Sequence, residues 1–152
     1  MVGEYEERFY QPIVRRLEAL LEKGGLEARN LAIQEKQLVG SWKDIVIGPP
    51  VQSSKGPFRV GEQFDVTVEV SLGELKPEDV DVELYSGHMK SVIALEGVWT
   101  APMSAAEYLG SGRYRYEGQG PCLISGRYGF TVRVRPRGDG AMKNLSGLIA
   151  WA

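Results

Sequence analysis

Val70-Ser71-Leu72-Gly73-Glu74-Leu75-Lys76-Pro77-Glu78-Asp79-Val80-Asp81-Val82-Glu83-Leu84-Tyr85-Ser86-Gly87 is the stretch that decides how this chain folds. Val80, Val82 and Leu84 alternate with Asp81 and Glu83, the period of two that puts one apolar and one polar face on a strand. Upstream, Phe64, Val66, Val68 and Val70 alternate in the same way with Asp65, Thr67 and Glu69. Between the two runs, Gly73 to Pro77 supplies the glycine and proline of a tight turn. The expectation is a half-buried antiparallel pair joined by that turn.

Working outward from this pair, the same period recurs. Ile45, Val46, Ile47 and Val51 form a β-prone run broken by Gly48, Pro49 and Pro50, and proline confines such a run to a sheet edge or a bulge. Gln52 to Pro57 reads as a polar loop. Tyr85 and Gly87 close one strand, with a turn expected at His88, and Val92 to Leu95 opens the next, followed by Val98 and Trp99. From Ala101 to Leu109 the pattern blurs and reads as a loop or one helical turn. Gly112 to Tyr116 resumes it, and Tyr128, Phe130, Val132 and Val134 alternate with Thr131, Arg133 and Arg135. Ser125-Gly126-Arg127-Tyr128 resembles the tyrosine corner that starts a strand in immunoglobulin-like sandwiches. Gly147 to Trp151 reads as a last strand. About seven short strands punctuated by turns make the expected fold mainly β, an immunoglobulin-like antiparallel β-sandwich over residues 44–152.

Residues 1–43 carry a different period. Val2, Tyr5, Phe9, Ile13, Leu17, Leu20 and Leu21 recur at helical spacing, with Pro12 kinking or dividing the helix and Gly24-Gly25 ending it. A second helical pattern runs through Leu26, Leu31, Ile33, Leu38 and Val39 and closes near Gly40 to Trp42. This N-terminal helical segment has a larger apolar stripe than a small sandwich needs.

At 152 residues the chain can bury about 70% of its unfolded surface, so a core forms without metal or disulfide staples. Cys122 is its only cysteine, which excludes an intrachain disulfide. Glu4, Glu6 and Glu7 stand where a secretory leader needs positive charge, so the expected location is the cytoplasm. No stretch has the length and apolarity of a membrane-spanning helix, and a net charge of −2 provides no overall attraction to nucleic acid or anionic lipid. No membrane and no nucleic-acid partner is expected.

Candidate chemistry is sparse. His88 is the only histidine, which removes multi-histidine metal sites, and pairing it with Cys122 as a dyad leaves no third residue to orient the base. Cys122, beside Pro121 and Leu123, reads more simply as a small buried hydrophobe. Asp79, Asp81 and Glu83 share one strand face and could chelate calcium, but strict alternation with Val80, Val82 and Leu84 favours a solvated outer face. Arg113, Arg115, Arg133 and Arg135 make a possible basic surface with Tyr114 and Tyr116 nearby, but alternation turns the tyrosines inward, so they cannot form a base-stacking platform on the same face as the arginines. Gly110-Ser111-Gly112 lacks the rest of a phosphate loop. No catalytic, cofactor-binding or metal-ligating residue is therefore nominated. Trp42, Trp99 and Trp151 offer flat apolar faces suited to pyranose rings and are the carbohydrate-binding candidates, with core packing the competing reading for each.

The string L-G-x-L-x-P-E-D-V-x-V-E-x-Y-x-G, at Leu72 to Gly87, resembles the β-rich C-terminal portion of bacterial and archaeal α-glucan phosphorylases, the glycogen and maltodextrin phosphorylases. Met1 to Tyr10, Gly112 to Tyr116, Ser125 to Val134 and Gly147 to Trp151 resemble further segments of that family in the same order. Pro136-Arg137-Gly138-Asp139-Gly140 departs from it, standing where the family has a His-Pro-rich turn. The resemblance implies a non-catalytic domain with a structural or interaction role in glycogen or maltodextrin metabolism. The family's pyridoxal phosphate, phosphate and glucan sites have no counterpart here, so no cofactor is expected. The partners it leaves open are a phosphorylase catalytic region, a second copy joined through the N-terminal helices, and an α-glucan. The alternative is a stand-alone carbohydrate-binding sandwich.

Overall fold

Alternation decides the strands, and the hydrophobic faces it creates decide the layers. In the computed structural model, which describes residues 25, 29–91, 94–123, 125–138, 145 and 147–152, the chain divides into two compact units, Met1–Gln37 and Leu38–Ala152. Of the first unit only the helical residues 29–37 and Gly25 are described, and the helix expected over Val2 to Leu21 lies outside the described residues. The helix α1 covers 29–41 and passes into a short 3-10 turn at Trp42–Asp44. Leu38 and Trp42, four residues apart and so on one helical face, are both buried in the core of the second unit.

Nine strands follow among the described residues: β1 (Val46–Ile47), β2 (Val51–Gln52), β3 (Gln63–Ser71), β4 (Val80–Ser91), β5 (Ala94–Pro102), β6 (Ser104–Gly110), β7 (Arg113–Pro121), β8 (Tyr128–Pro136) and β9 (Ala150–Trp151). One antiparallel sheet has the order β1-β3-β7-β6, with β2 also on β3, and the other has the order β5-β4-β8-β9. Phe64, Val66, Val68, Val70 and Tyr116 of the first sheet face Val80, Val82, Leu84, Val132 and Val134 of the second, all nearly inaccessible to solvent. This is a β-sandwich, with apolar side chains interdigitating between the layers.

The organising stretch behaves differently from the hairpin expected of it. β3 pairs with β7 and with β1 and β2, whereas β4 pairs with β5 and β8, so β3 and β4 face each other across the core. The connection from Leu72 to Asp79 carries the chain from one sheet to the other. Leu72 and Leu75 are buried along it, and the Leu75 N–H donates to the Leu72 carbonyl at 3.1 Å. Lys76-Pro77-Glu78-Asp79 then turns with the Asp79 N–H on the Lys76 carbonyl at 2.9 Å and the Lys76 N–H on Asp79 Oδ2 at 2.8 Å. Gly73 has a φ of +61°, and its carbonyl occupies the space that a side chain at Gly112 would need. The Leu72 N–H donates to the Gly112 carbonyl at 2.8 Å, locking this crossover against the β6–β7 turn.

Three other expectations shift. The blurred segment from Ala101 to Leu109 is mostly strand β6, whose exposure along its length, as an edge strand, erases the period-two signal. β4 continues past Gly87 to Ser91, so His88 lies within a strand, opposite Tyr128, rather than in a turn. β7 likewise runs on through Gly118 and Gly120, whose missing side chains make room for Met103, and for Phe64 and Trp99. The count of nine against about seven reflects β6 and the two-residue strands. Pro49 and Pro50 keep β1 and β2 short and at the edge.

Candidate functional site

Sheet-surface chemistry centres on a row across three strands of the second sheet. Glu83 on β4 stands opposite Arg133 on β8, which stands opposite Trp151 on β9. Arg133 Nε donates to Glu83 Oε2 at 2.7 Å and Arg135 Nη2 donates to Glu83 Oε1 at 2.9 Å. The three side chains are only 15 to 19% exposed. One carboxylate thus holds two guanidinium groups under partial desolvation, where charge-assisted hydrogen bonds are strong. Arg133 also lies 5.3 Å from the Tyr85 ring centroid and 5.7 Å from that of Trp151, and those two rings meet edge to face at 5.1 Å. Arg137 Nε donates to Asp81 Oδ1 at 2.8 Å. The acidic face expected to be solvated is therefore an ion-pair network: Asp81 and Glu83 are taken by arginines, and Asp79 caps its own turn.

The four arginines do not share a surface. Arg113 and Arg115 are on β7 in one sheet and Arg133 and Arg135 on β8 in the other. Arg115 bridges Glu107 at 2.5 Å and Glu69 at 3.6 Å.

The tryptophans separate as well. Trp42 is buried with Leu38 and Ile45 in the core and presents no ring face to a sugar. Trp99 points inward from β5, edge-on to Phe64 with centroids 6.3 Å apart. Trp151 alone of the three is half exposed, on the outer side of the second sheet. Trp99 and Trp151 occupy opposite faces of one sheet, so no shared platform forms.

His88 packs edge-on against Tyr128, the residue expected to make a tyrosine corner, at 5.9 Å. Cys122 is buried just after β7, its N–H donating to the Glu62 carbonyl at 2.8 Å. Burial pushes its thiol pKa up, with the Glu62 carboxylate adding to the effect, which works against a reactive thiolate at neutral pH. Among the described residues no cluster of three or more His, Cys, Asp or Glu could hold a metal ion.

Strand-by-strand reading missed a groove of about 610 Å³ at the end of the sandwich where β3 begins and β8 starts. Phe64 and Phe130 form its floor with ring centroids 5.8 Å apart, and Phe58 packs on Phe64 at 6.1 Å. The loop after β2 and the β7–β8 crossover form its sides. Loop residues carry no periodicity, so no sequence signal pointed to this place.

Fold and surface together define a mainly β domain, an antiparallel sandwich with a helical lead-in. The chain belongs to the glycogen phosphorylase C-terminal domain family, whose model matches residues 42–152. It is 31% identical over 161 residues to the maltodextrin phosphorylase of Thermococcus litoralis, an alignment covering 99% of this chain and 18% of that protein. It is also 31% identical over 156 residues to the glycogen phosphorylases of Mycobacterium bovis and Mycobacterium tuberculosis, covering 100% of this chain and 18% of each. The chain therefore spans less than a fifth of the length of these curated relatives. No solved structure matches it. Among the described residues no helix is long and apolar enough to cross a membrane.

Proposed function

We propose that this chain acts in the cytoplasm as a non-catalytic domain of the phosphorylase type, with a structural or interaction role in glycogen or maltodextrin metabolism. The observation that carries this reading is the family match over 42–152 in a chain that covers 18% of relatives named as phosphorylases. The use of Glu83, Asp81, Glu69 and Glu107 as ion-pair partners supports it, because carboxylates held by arginines are poorly placed for acid–base work. Its partner in this reading is the catalytic part of a phosphorylase, or a second copy of the chain. The test supplies purified protein with pyridoxal phosphate, inorganic phosphate and maltodextrin. No glucose 1-phosphate above the protein-free blank is expected, and sustained release would overturn the reading.

A second reading, a carbohydrate-binding module, is favoured by the half-exposed Trp151 beside Tyr85 and Arg133. Titrating maltoheptaose while following tryptophan fluorescence separates the two. A saturable change that disappears in Trp151→Phe supports the module, and a flat titration leaves the structural role.

A further inference from the structure

We propose that the groove at the end of the sandwich docks an extended polypeptide segment carrying a large apolar or aromatic side chain flanked by aspartates or glutamates. Its volume, about 610 Å³, and its floor of Phe58, Phe64 and Phe130 suit one or two such side chains. The groove is held open by construction. Gly56 and Gly126 line it without side chains, and Gly126 has a φ of +135° with the His88 imidazole filling the space where a Cβ would go.

The walls are fixed by backbone hydrogen bonds. The Gly61 N–H donates to the Cys122 carbonyl at 2.9 Å, and the Cys122 N–H to the Glu62 carbonyl at 2.8 Å, which ties the two walls together. The Ser53 N–H donates to the Asp65 carbonyl at 2.9 Å and the Asp65 N–H to Ser54 Oγ at 2.8 Å, which anchors the other end of the loop. A preformed groove loses little entropy on binding.

Charge selects the occupant. Arg59 is the one charged residue lining the groove, and the bordering segments, 53–61 and 122–128, add Lys55 and Arg127, next in sequence to the lining residues Gly56 and Gly126, and no aspartate or glutamate, in a chain whose net charge is −2. None of these three cations has an ion-pair partner among the described residues, whereas Arg115, Arg133, Arg135 and Arg137 each hold a carboxylate. Glu62, just beyond the first segment, turns its carboxylate onto the Arg59 backbone N–H at 2.8 Å. The groove opens onto exposed apolar surface at Val60, which lines it and is 60% exposed, and at Leu123, next in sequence to the lining Cys122 and 57% exposed, so the complementary ligand is a chain running over the rim rather than a small molecule contained within it. An uncharged glucan could accept hydrogen bonds from these cations but would gain none of the Coulomb attraction that an acidic segment gains. The site stands whether or not the phosphorylase reading holds.

The experiment selects a random dodecapeptide display library on the full-length chain and measures synthetic copies of the winners by fluorescence anisotropy. The expected winners carry an aromatic or large aliphatic residue with at least two flanking acids. Their affinity should fall roughly tenfold in an R59E/R127E double variant of unchanged melting temperature, and severalfold on raising salt from 50 to 300 mM. No enrichment, enrichment of neutral or basic sequences, undiminished binding by the double variant, displacement of the peptide by maltoheptaose, or a dimer of this chain that the double variant dissociates would each overturn the proposal.

Discussion

Replacing Glu83 by glutamine removes the carboxylate that bridges two guanidinium groups, those of Arg133 and Arg135. Breaking a buried ion pair by deleting one partner costs about 3–5 kcal/mol, because the remaining charge stays desolvated. Here the side chains are 15 to 19% exposed and glutamine still offers one acceptor, so the expected loss is about 2–3 kcal/mol. At about 2–4 °C per kcal/mol for a chain of this size, the melting temperature should fall by roughly 5–10 °C. Urea unfolding followed by tryptophan fluorescence reads the loss directly. The double variant Glu83→Gln with Arg135→Met should be more stable than the sum of the two single changes allows, by about 1 kcal/mol, since one stranded cation has gone. Partial burial also limits screening, so 0.5 M NaCl should leave most of the deficit in place. A single-variant loss below about 0.5 kcal/mol, or one erased by salt, would refute the view that this network braces the second sheet.

Two further outcomes follow from the core. The Tyr116 hydroxyl is buried with no hydrogen-bond partner among the described residues, and desolvation, with Tyr114 adding and Arg137 opposing, raises its pKa to about 12. An unfolded tyrosine loses its proton near pH 10 while the folded one keeps it, so stability falls between about pH 10 and 12, by roughly 2 kcal/mol. Tyr116→Phe should lose less stability than the parent across that interval, and at pH 7 should stay within about 1 kcal/mol of it, as alkaline urea titrations of both would show. A Cβ on Gly120 would lie 2.5 Å from both Phe64 Cζ and Trp99 Cη2, so Gly120→Ala should cost about 1–3 kcal/mol by overpacking. Unchanged urea unfolding would show instead that the two rings slide aside.

The faces of the strands were legible in the sequence, and their partners were not. Alternation in Phe64 to Val70 and Val80 to Leu84 reports which side chains go inward, and those residues are the core. The same alternation arises whether two strands lie side by side in one sheet or face each other between two, so the β3–β4 crossover read as a hairpin. What separates the cases is the connection. Leu72 and Leu75 are apolar and buried, in a linker too long for a two-residue hairpin turn, and a crossing strap needs such anchors where an exposed turn does not. The failure at β6 has a related cause, since an edge strand with little buried face leaves no alternation to read.

Surface chemistry was legible only in part, for a geometric reason. That Glu83 and Arg133 carry charge on outward faces follows from alternation; that they meet depends on β4 pairing with β8 in one register, which sets Glu83 opposite Arg133 while Arg115 goes to the other sheet. The groove lies further from reach, because Phe64 and Phe130 come from strands in different sheets while Arg59 and Gly126 come from separate loops. In sequence, Arg59 and Arg127 look no different from Arg133 and Arg135. Folding distinguishes them: Arg133 and Arg135 meet Glu83 across the β4–β8 ladder, whereas Arg59 and Arg127 sit on crossover loops, where no ladder sets a carboxylate opposite them. Arg59, left without an ion-pair partner among the described residues beside an open aromatic floor, is therefore a product of the topology, and it is the group that the proposed acidic segment would meet at this end of the sandwich.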